Sequence, residues 1–368
     1  MKYERMPIEA ESPEEYGYDR IKFNLSESSI RDRKLSDVGI QLPDLLLLYG
    51  EHKGHRGLVE TIAAFSGVRP GEVLVTFGAA QALFIIATSL LEQGDELVVV
   101  RPNYATNLFT PRAIQADVRY LELSFEQQWK VDLDQLAARI SPRTRLVSIT
   151  VPHNPTGQVM GEADLRAIVA LVEKAGCRLL VDETYREMTF GTPLPCAATL
   201  SERAISVSSL SKSYGIPGIR TGWLLCRDPQ LMETFLAAKE QIGICGSVVD
   251  EEIAFQALCR RDAWLAEARG RIREALGVTR DWMAREDLLE WVEPKGGVVG
   301  FPRIKPEVPV DLDAFYRSLT LEHGTYVGPG HWFEQSRRHF RLGFGWPTPA
   351  ELKGGLEGIS RALRASLT

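Results

Sequence analysis

The sequence predicts an α/β protein: a large domain with a mostly parallel sheet covered by helices, plus a smaller α+β domain. Two patterns carry that prediction. From Gly57 to about residue 230, short wholly apolar runs alternate with amphipathic helical stretches, as buried parallel strands alternate with the helices that cover them. Beyond about residue 230 the alternation gives way to long helices and then to a mixed region. A length of 368 residues, about two domains' worth, accommodates both.

Residues 1–45 form an acidic, irregular arm assigned to the small domain, with Pro7, Pro13 and Pro43 expected to break helices. The large domain is expected over 46–270 and the small one over 271–368. Ala79 to Leu91 has helical apolar spacing and is stopped by Gln93-Gly94-Asp95. Glu96 to Val100 reads as a buried strand, and Arg145 to Val151 as a second. Leu165 to Lys174 is an amphipathic helix ended by Gly176, and Arg178 to Val181 is a third strand. Ala204 to Ser208 and Gly222 to Cys226 are further apolar runs. Two long helices follow, Leu231 to Ile242 and Asp250 to Arg285, then strand-like Gly297 to Phe301 and Phe340 to Gly343, and a last helix from Pro349 to Leu363.

Composition narrows the function. With 44% hydrophobic, 25% charged and 8% aromatic residues, the chain is neither disordered, collagen-like nor a disulfide-stapled mini-domain. A chain this long buries enough surface to need no structural metal. The net charge of −6, without a basic stripe, argues against a nucleic-acid partner. Five cysteines without a C-x-x-C pair read as reduced thiols of a cytoplasmic protein. The first twenty residues lack the apolar core of a signal peptide, and no run approaches the roughly 18 apolar residues of a membrane span. The sequon Asn24-Leu25-Ser26 carries no meaning in such a chain.

In a parallel sheet, ligands bind at the carboxyl ends of the strands, so the residues just after them matter most. Five stretches qualify. Gly78-Ala79-Ala80 opens a helix and lets backbone N–H groups approach an anion. Tyr104 follows a strand in Arg101-Pro-Asn-Tyr and is placed to stack on a planar ring. Asn154 sits in His153-Asn-Pro-Thr-Gly157, where His153 alone reads as a structural histidine. Asp182, in Asp-Glu-Thr-Tyr185, ends an apolar strand where a buried carboxylate needs a cation, or serves as a helix cap. Lys212 lies among Ser209, Ser211, Gly215, Gly218 and Arg220, a segment built for close approach to an anion rather than for a solvated face.

With these five in view, the chain resembles the pyridoxal 5′-phosphate (PLP) enzymes of the aspartate aminotransferase superfamily, class I/II, fold type I, from about Tyr49 to the C-terminus. The resemblance implies that Lys212 carries PLP as an internal aldimine. Asp182 would then pair with the pyridine nitrogen, and Tyr185 and Asn154 would bond the phenolic oxygen while Tyr104 stacks on the ring. The phosphate is expected in Gly78-Ala79-Ala80 with Ser209, Ser211 and Arg220. Tyr49 matches a tyrosine that reaches the partner subunit's phosphate, implying a homodimer with shared sites. Arg341, in Phe-Arg-Leu-Gly-Phe, matches the grip on the substrate α-carboxylate, with Asn154 beside it.

The shared motifs serve both transamination and elimination; transamination of an L-amino acid, the commoner outcome in the superfamily, is the expectation. The second arginine of dicarboxylate-specific members is missing from Gln241 to Asp250, which excludes a specialised aspartate or glutamate enzyme. In the family the N-terminal part lies over the active-site mouth. Here it is acidic, and reads as a solvated arm unless Glu9 or Glu27 faces the pocket, where either would suit a guanidinium. The stretches Pro294 to Pro302 and Gly328 to Arg341 also resemble capreomycidine synthase-like enzymes, PLP enzymes that cyclise a hydroxyarginine. An arginine-derived cyclase or lyase is therefore the alternative. A nicotinamide cofactor is excluded, since no G-x-G-x-x-G follows a strand.

Overall fold

The computed structural model describes residues 1–368. A two-residue strand, β1 (Phe23–Asn24), precedes the central sheet. That sheet consists of β2 (Val73–Phe77), β3 (Glu96–Arg101), β4 (Asp117–Glu122), β5 (Thr144–Thr150), β6 (Arg178–Asp182), β7 (Ala204–Ser209) and β8 (Thr221–Cys226). Its spatial order is β2-β8-β7-β6-β5-β3-β4. β8 runs antiparallel to both neighbours and every other pairing is parallel, so the fold is α/β with a mostly parallel sheet.

The inner strands are apolar because both faces are covered. Helices Gly78–Leu90 and Pro229–Gly243 bury Leu83, Ile86 and Phe235 against one face. Helices Leu133–Arg139 and Glu162–Ala175 bury Leu136, Leu165 and Ile168 against the other. Each fully buried side chain of this kind contributes about 1.5–3 kcal/mol. β4 escaped the sequence reading because it is an edge strand with Asp117 and Glu122 exposed and only Leu121 buried. Its Arg119 also meets buried Glu96 at 2.8 Å, and Arg143 meets the same carboxylate at 2.6 Å.

Three expectations need correction. Pro7 and Pro13 do not break helices; each opens a short one, Pro7–Ala10 and Pro13–Tyr16, at the first-turn position where a missing N–H costs nothing. The long helix after residue 250 is two, Val248–Cys259 and Arg261–Met283. They part at Arg260, whose guanidinium donates to the carbonyls of Val38 and Gly39 at 2.8 Å each. Of Gly297 to Phe301 only Val299–Gly300 forms a strand: before it the Gly297 N–H turns to the Met188 carbonyl at 3.0 Å, and after it Pro302 has no N–H to continue the ladder.

The C-terminal helix Pro349–Ala365 packs on Leu312–Leu321 and on β1. The arm is woven into this region. β1 pairs in parallel with Thr325–Tyr326, and Gly343 N–H donates to the Leu25 carbonyl at 2.7 Å. Further on, Ile30 N–H donates to the Lys212 carbonyl at 3.1 Å. Residues 25–30 are thereby drawn across the carboxyl ends of the central strands.

Candidate active site

The strand ends converge on a cavity of about 530 Å³, within the range of small-molecule sites. Its lining includes Ala79, Ala80, Tyr104, Asn154, Asp182, Tyr185, Ser209, Ser211, Lys212, Arg220 and Arg341, together with Glu9 and Glu27. Gly78 lies directly behind. Tyr49 does not reach the cavity; it is 77% exposed on the outer surface.

At one end, β2 turns into helix Gly78–Leu90, whose N-terminus has no side-chain cap. Gly78 adopts φ +73°, and a Cβ there would stand 2.6 Å from Arg220 Nη2. Gly222 of β8 passes beneath: a Cβ on it would meet the Gly78 carbonyl carbon at 2.5 Å and the Ala79 nitrogen at 2.6 Å. Unpaired helix N–H groups, Ser209, Ser211 and the Arg220 guanidinium therefore share one small region. Together they make a corner suited to cradling a phosphate.

In the middle, Asp182 ends β6 buried, accepting from Thr184 N–H at 3.1 Å and Thr184 Oγ1 at 2.6 Å. Burial pushes its carboxyl above the ordinary range, against the pull of Thr184 and of Lys212. Such a group is poised to ionise when a cation faces it. The Lys212 amine is pushed down by burial and pulled back up chiefly by the Glu27 carboxylate. Tyr104 caps helix Ala105–Ile114, and its hydroxyl donates to Glu9 Oε1 at 3.3 Å. Burial, with Glu9 next, pushes that phenol up to about 12.

At the other end, Arg341 is buried on the strand Phe340–Gly343. Its Nη2 donates to the Ser26 carbonyl at 2.6 Å and its Nη1 to Asn154 Oδ1 at 3.3 Å. The Tyr185 hydroxyl donates to the Ser28 carbonyl at 2.8 Å. Each of these side chains is thus fixed before any ligand arrives. His153 is structural, as expected: buried, its ring nitrogens engage Thr156 Oγ1 at 2.8 Å and the Pro102 carbonyl at 2.9 Å, and burial pushes it down to about 4.

Glu9 and Glu27 both face the cavity, so the arm is not a solvated appendage. Glu14, Thr184, Pro217 and Trp332 line it too, and sequence reasoning did not single them out. Trp332 and Thr184 lay inside stretches already noted; Glu14 had no local signal. Glu27 accepts from the Tyr18 hydroxyl at 3.1 Å. Burial pushes its carboxyl up, Lys212 pulls it down, and Glu14 pushes it up again. A second cavity of about 590 Å³, lined by Val100, Trp129, Ile149 and Met160, holds none of the expected site residues.

The residues present fit PLP: an uncapped helix end for a phosphate, a buried amine, and a buried carboxyl awaiting a cation. The family model for aminotransferase class I and II matches residues 21–359. The chain is 34% identical over 366 residues to a capreomycidine synthase of Streptomyces vinaceus, covering 94% of this chain and 91% of that protein. It is 31% identical over 310 residues to an arginine–pyruvate transaminase of Pseudomonas aeruginosa, covering 80% and 77%. A PLP-dependent aminotransferase from Streptococcus suis superposes with a TM-score of 0.91 at 28% identity over the full length of both chains.

Proposed function

Since the chain belongs to the aminotransferase class I and II family and is a PLP-dependent enzyme, we propose that it transaminates an L-amino acid whose side chain ends in a guanidinium or similar cation. One observation carries the substrate class: Glu9, Glu14 and Glu27 line the cavity that also holds Arg341. The cations there are otherwise engaged. Arg5 pairs with Glu15 at 2.7 Å, Arg220 belongs to the phosphate cradle, Arg341 awaits the α-carboxylate, and Lys212 the aldehyde of the cofactor. Acidic side chains left over in a confined site call for a cationic ligand.

Bound PLP supplies an aldehyde for the substrate amine and a ring that takes up electrons when a bond at Cα breaks. Helix Gly78–Leu90, Ser209, Ser211 and Arg220 would hold its phosphate. Asp182 would keep a proton on its ring nitrogen, Tyr104 would stack on its ring, and Tyr185 and Asn154 would bond its phenolic oxygen. Arg341 orients the α-carboxylate, which sets the bond that breaks. Lys212, favoured as a neutral amine by burial, takes and returns the Cα proton.

A second reading, loss of a side-chain substituent followed by ring closure, is favoured by the 34% identity to an enzyme named capreomycidine synthase. Single amino acids offered to holoenzyme without an oxo-acid acceptor separate the two. A transaminase forms one equivalent of oxo acid and pyridoxamine phosphate, then stalls; a cyclase turns over repeatedly with its cofactor absorbance restored. Arginine and hydroxyarginine belong in that panel, and preference for an uncharged or acidic amino acid overturns the substrate class. Glu27→Gln is expected to raise KM for arginine about tenfold or more.

We further read the protein as a cytoplasmic homodimer, with a large domain over 46–270 and a small one over 271–368 that includes the arm. All five cysteines are unpaired, consistent with a reducing compartment. Leu46, Leu47, Leu48 and Tyr49 are 76%, 76%, 55% and 77% exposed, an apolar run that a second copy would cover.

A further inference from the structure

Two short helices, Pro7–Ala10 and Pro13–Tyr16, form the outer wall of the cavity and carry Glu9 and Glu14. Helices of four residues do not hold their own position in water. Ile8 and Pro13 are buried beneath them, and a polar anchor lies between them at Glu11, a residue that does not line the cavity. Its Oε2 accepts from Trp332 Nε1 at 2.7 Å and meets His331 Nε2 at 2.8 Å. The Glu11 carbonyl accepts from the Tyr326 hydroxyl at 2.7 Å, and the Tyr326 ring stacks on Tyr16 at 5.1 Å.

The other half of this contact is itself anchored. His331 and Trp332 belong to the turn Gly330–Phe333. Glu334, the next residue, meets Arg112 at 2.5 Å and Arg101 at 3.0 Å on the central-sheet side. The Trp332 ring also faces inward. It lines the cavity, 6.0 Å from the Arg341 guanidinium carbon, and the Phe333 ring lies 5.1 Å from the same carbon.

We propose that Glu11 is a positioning residue: its carboxylate seats the Pro7–Tyr16 wall on the turn Gly330–Phe333 and so places Glu9 and Glu14 opposite Arg341. One side chain, Trp332, is then shared by the wall and by the surroundings of the carboxylate grip. Glu11 itself makes no contact with Lys212, Asp182 or the phosphate-binding residues; its partners are His331, Trp332 and Tyr326. The role rests on reading this cavity as the substrate site, and it adds a residue that touches neither substrate nor cofactor.

The test compares holoenzyme carrying Glu11→Ala, Glu11→Gln or Trp332→Phe with the unaltered chain, by hydrogen–deuterium exchange and by kinetics. Glu11→Ala is expected to speed exchange across residues 5–18, raise KM for the preferred amino acid about tenfold and leave kcat within about threefold. PLP absorbance stays unchanged. Glu11→Gln keeps an oxygen that accepts from Trp332 and is expected to recover most of the protection. Trp332→Phe, which keeps a ring but removes the N–H, is expected to speed exchange over the same residues. Unchanged exchange in Glu11→Ala overturns the proposal, as does a fall in kcat at constant KM. Exchange reads the wall whichever amino acid is turned over, so a wrong substrate class shows in the amino-acid panel and a wrong latch shows here.

Discussion

Lys212 is useful only while its amine is neutral, and two opposing influences set that state. Burial lowers its proton affinity, and Glu27, less strongly, restores it. Lys212→Ala is expected to leave a protein without the yellow colour of covalently held PLP and with turnover below detection. Asp182 acts differently. Its carboxyl is buried and waits for a cation, so Asp182→Ala is expected to keep PLP yet lose about 10²–10⁴-fold in kcat. Near-normal turnover in that variant removes the assigned role. These residues were legible from the sequence because each follows an apolar strand, where chemistry in a parallel sheet collects. Glu14 and Glu11 were not: Glu14 carries no local motif, and the partners of Glu11 lie more than three hundred positions away.

At the scale of elements, strands and helices flanked by clear stops were read almost to the residue, from Gly78–Leu90 to Pro349–Ala365. What failed was local grammar overruled by tertiary contacts. Pro7 and Pro13 are helix starts because the wall they open is tied down elsewhere. The split at Arg260 follows from carbonyls of the distant arm. β8 offers the sharpest test of an element's position. Gly222 exists where the strand runs under the Gly78–Ala79 backbone, and Gly222→Ala would push the helix end out of place. Overpacking of this kind costs about 1–3 kcal/mol. PLP affinity, measured by titration of the apo form, is expected to fall at least tenfold in this variant. An unchanged affinity removes the cradle from this strand pair.

For the whole molecule, the proposed dimer explains a surface that the single chain leaves bare. Leu46 to Tyr49 stand out into solvent beside no other element of their own chain that would bury them. Sedimentation at micromolar concentration is expected to return twice the chain mass of 41.1 kDa. Tyr49→Phe is expected to lower PLP affinity while the dimer persists, since the hydroxyl is assigned to the partner's phosphate. A monomer with full PLP affinity sinks the shared-site arrangement. The sheet covered by helices on both faces was visible in its alternating pattern; the proposed association rests on resemblance and on the exposed run Leu46 to Tyr49.

The carbonyls of Ser26 and Ser28 receive Arg341 and Tyr185. A shortened version starting at Gly57 would keep every strand of the central sheet and Gly78, Ser209, Ser211 and Arg220, but would lose Tyr49. It would also leave the Tyr185 phenol without its acceptor and the Arg341 guanidinium with Asn154 alone, so it is expected to hold cofactor more weakly and to discriminate poorly among amino acids.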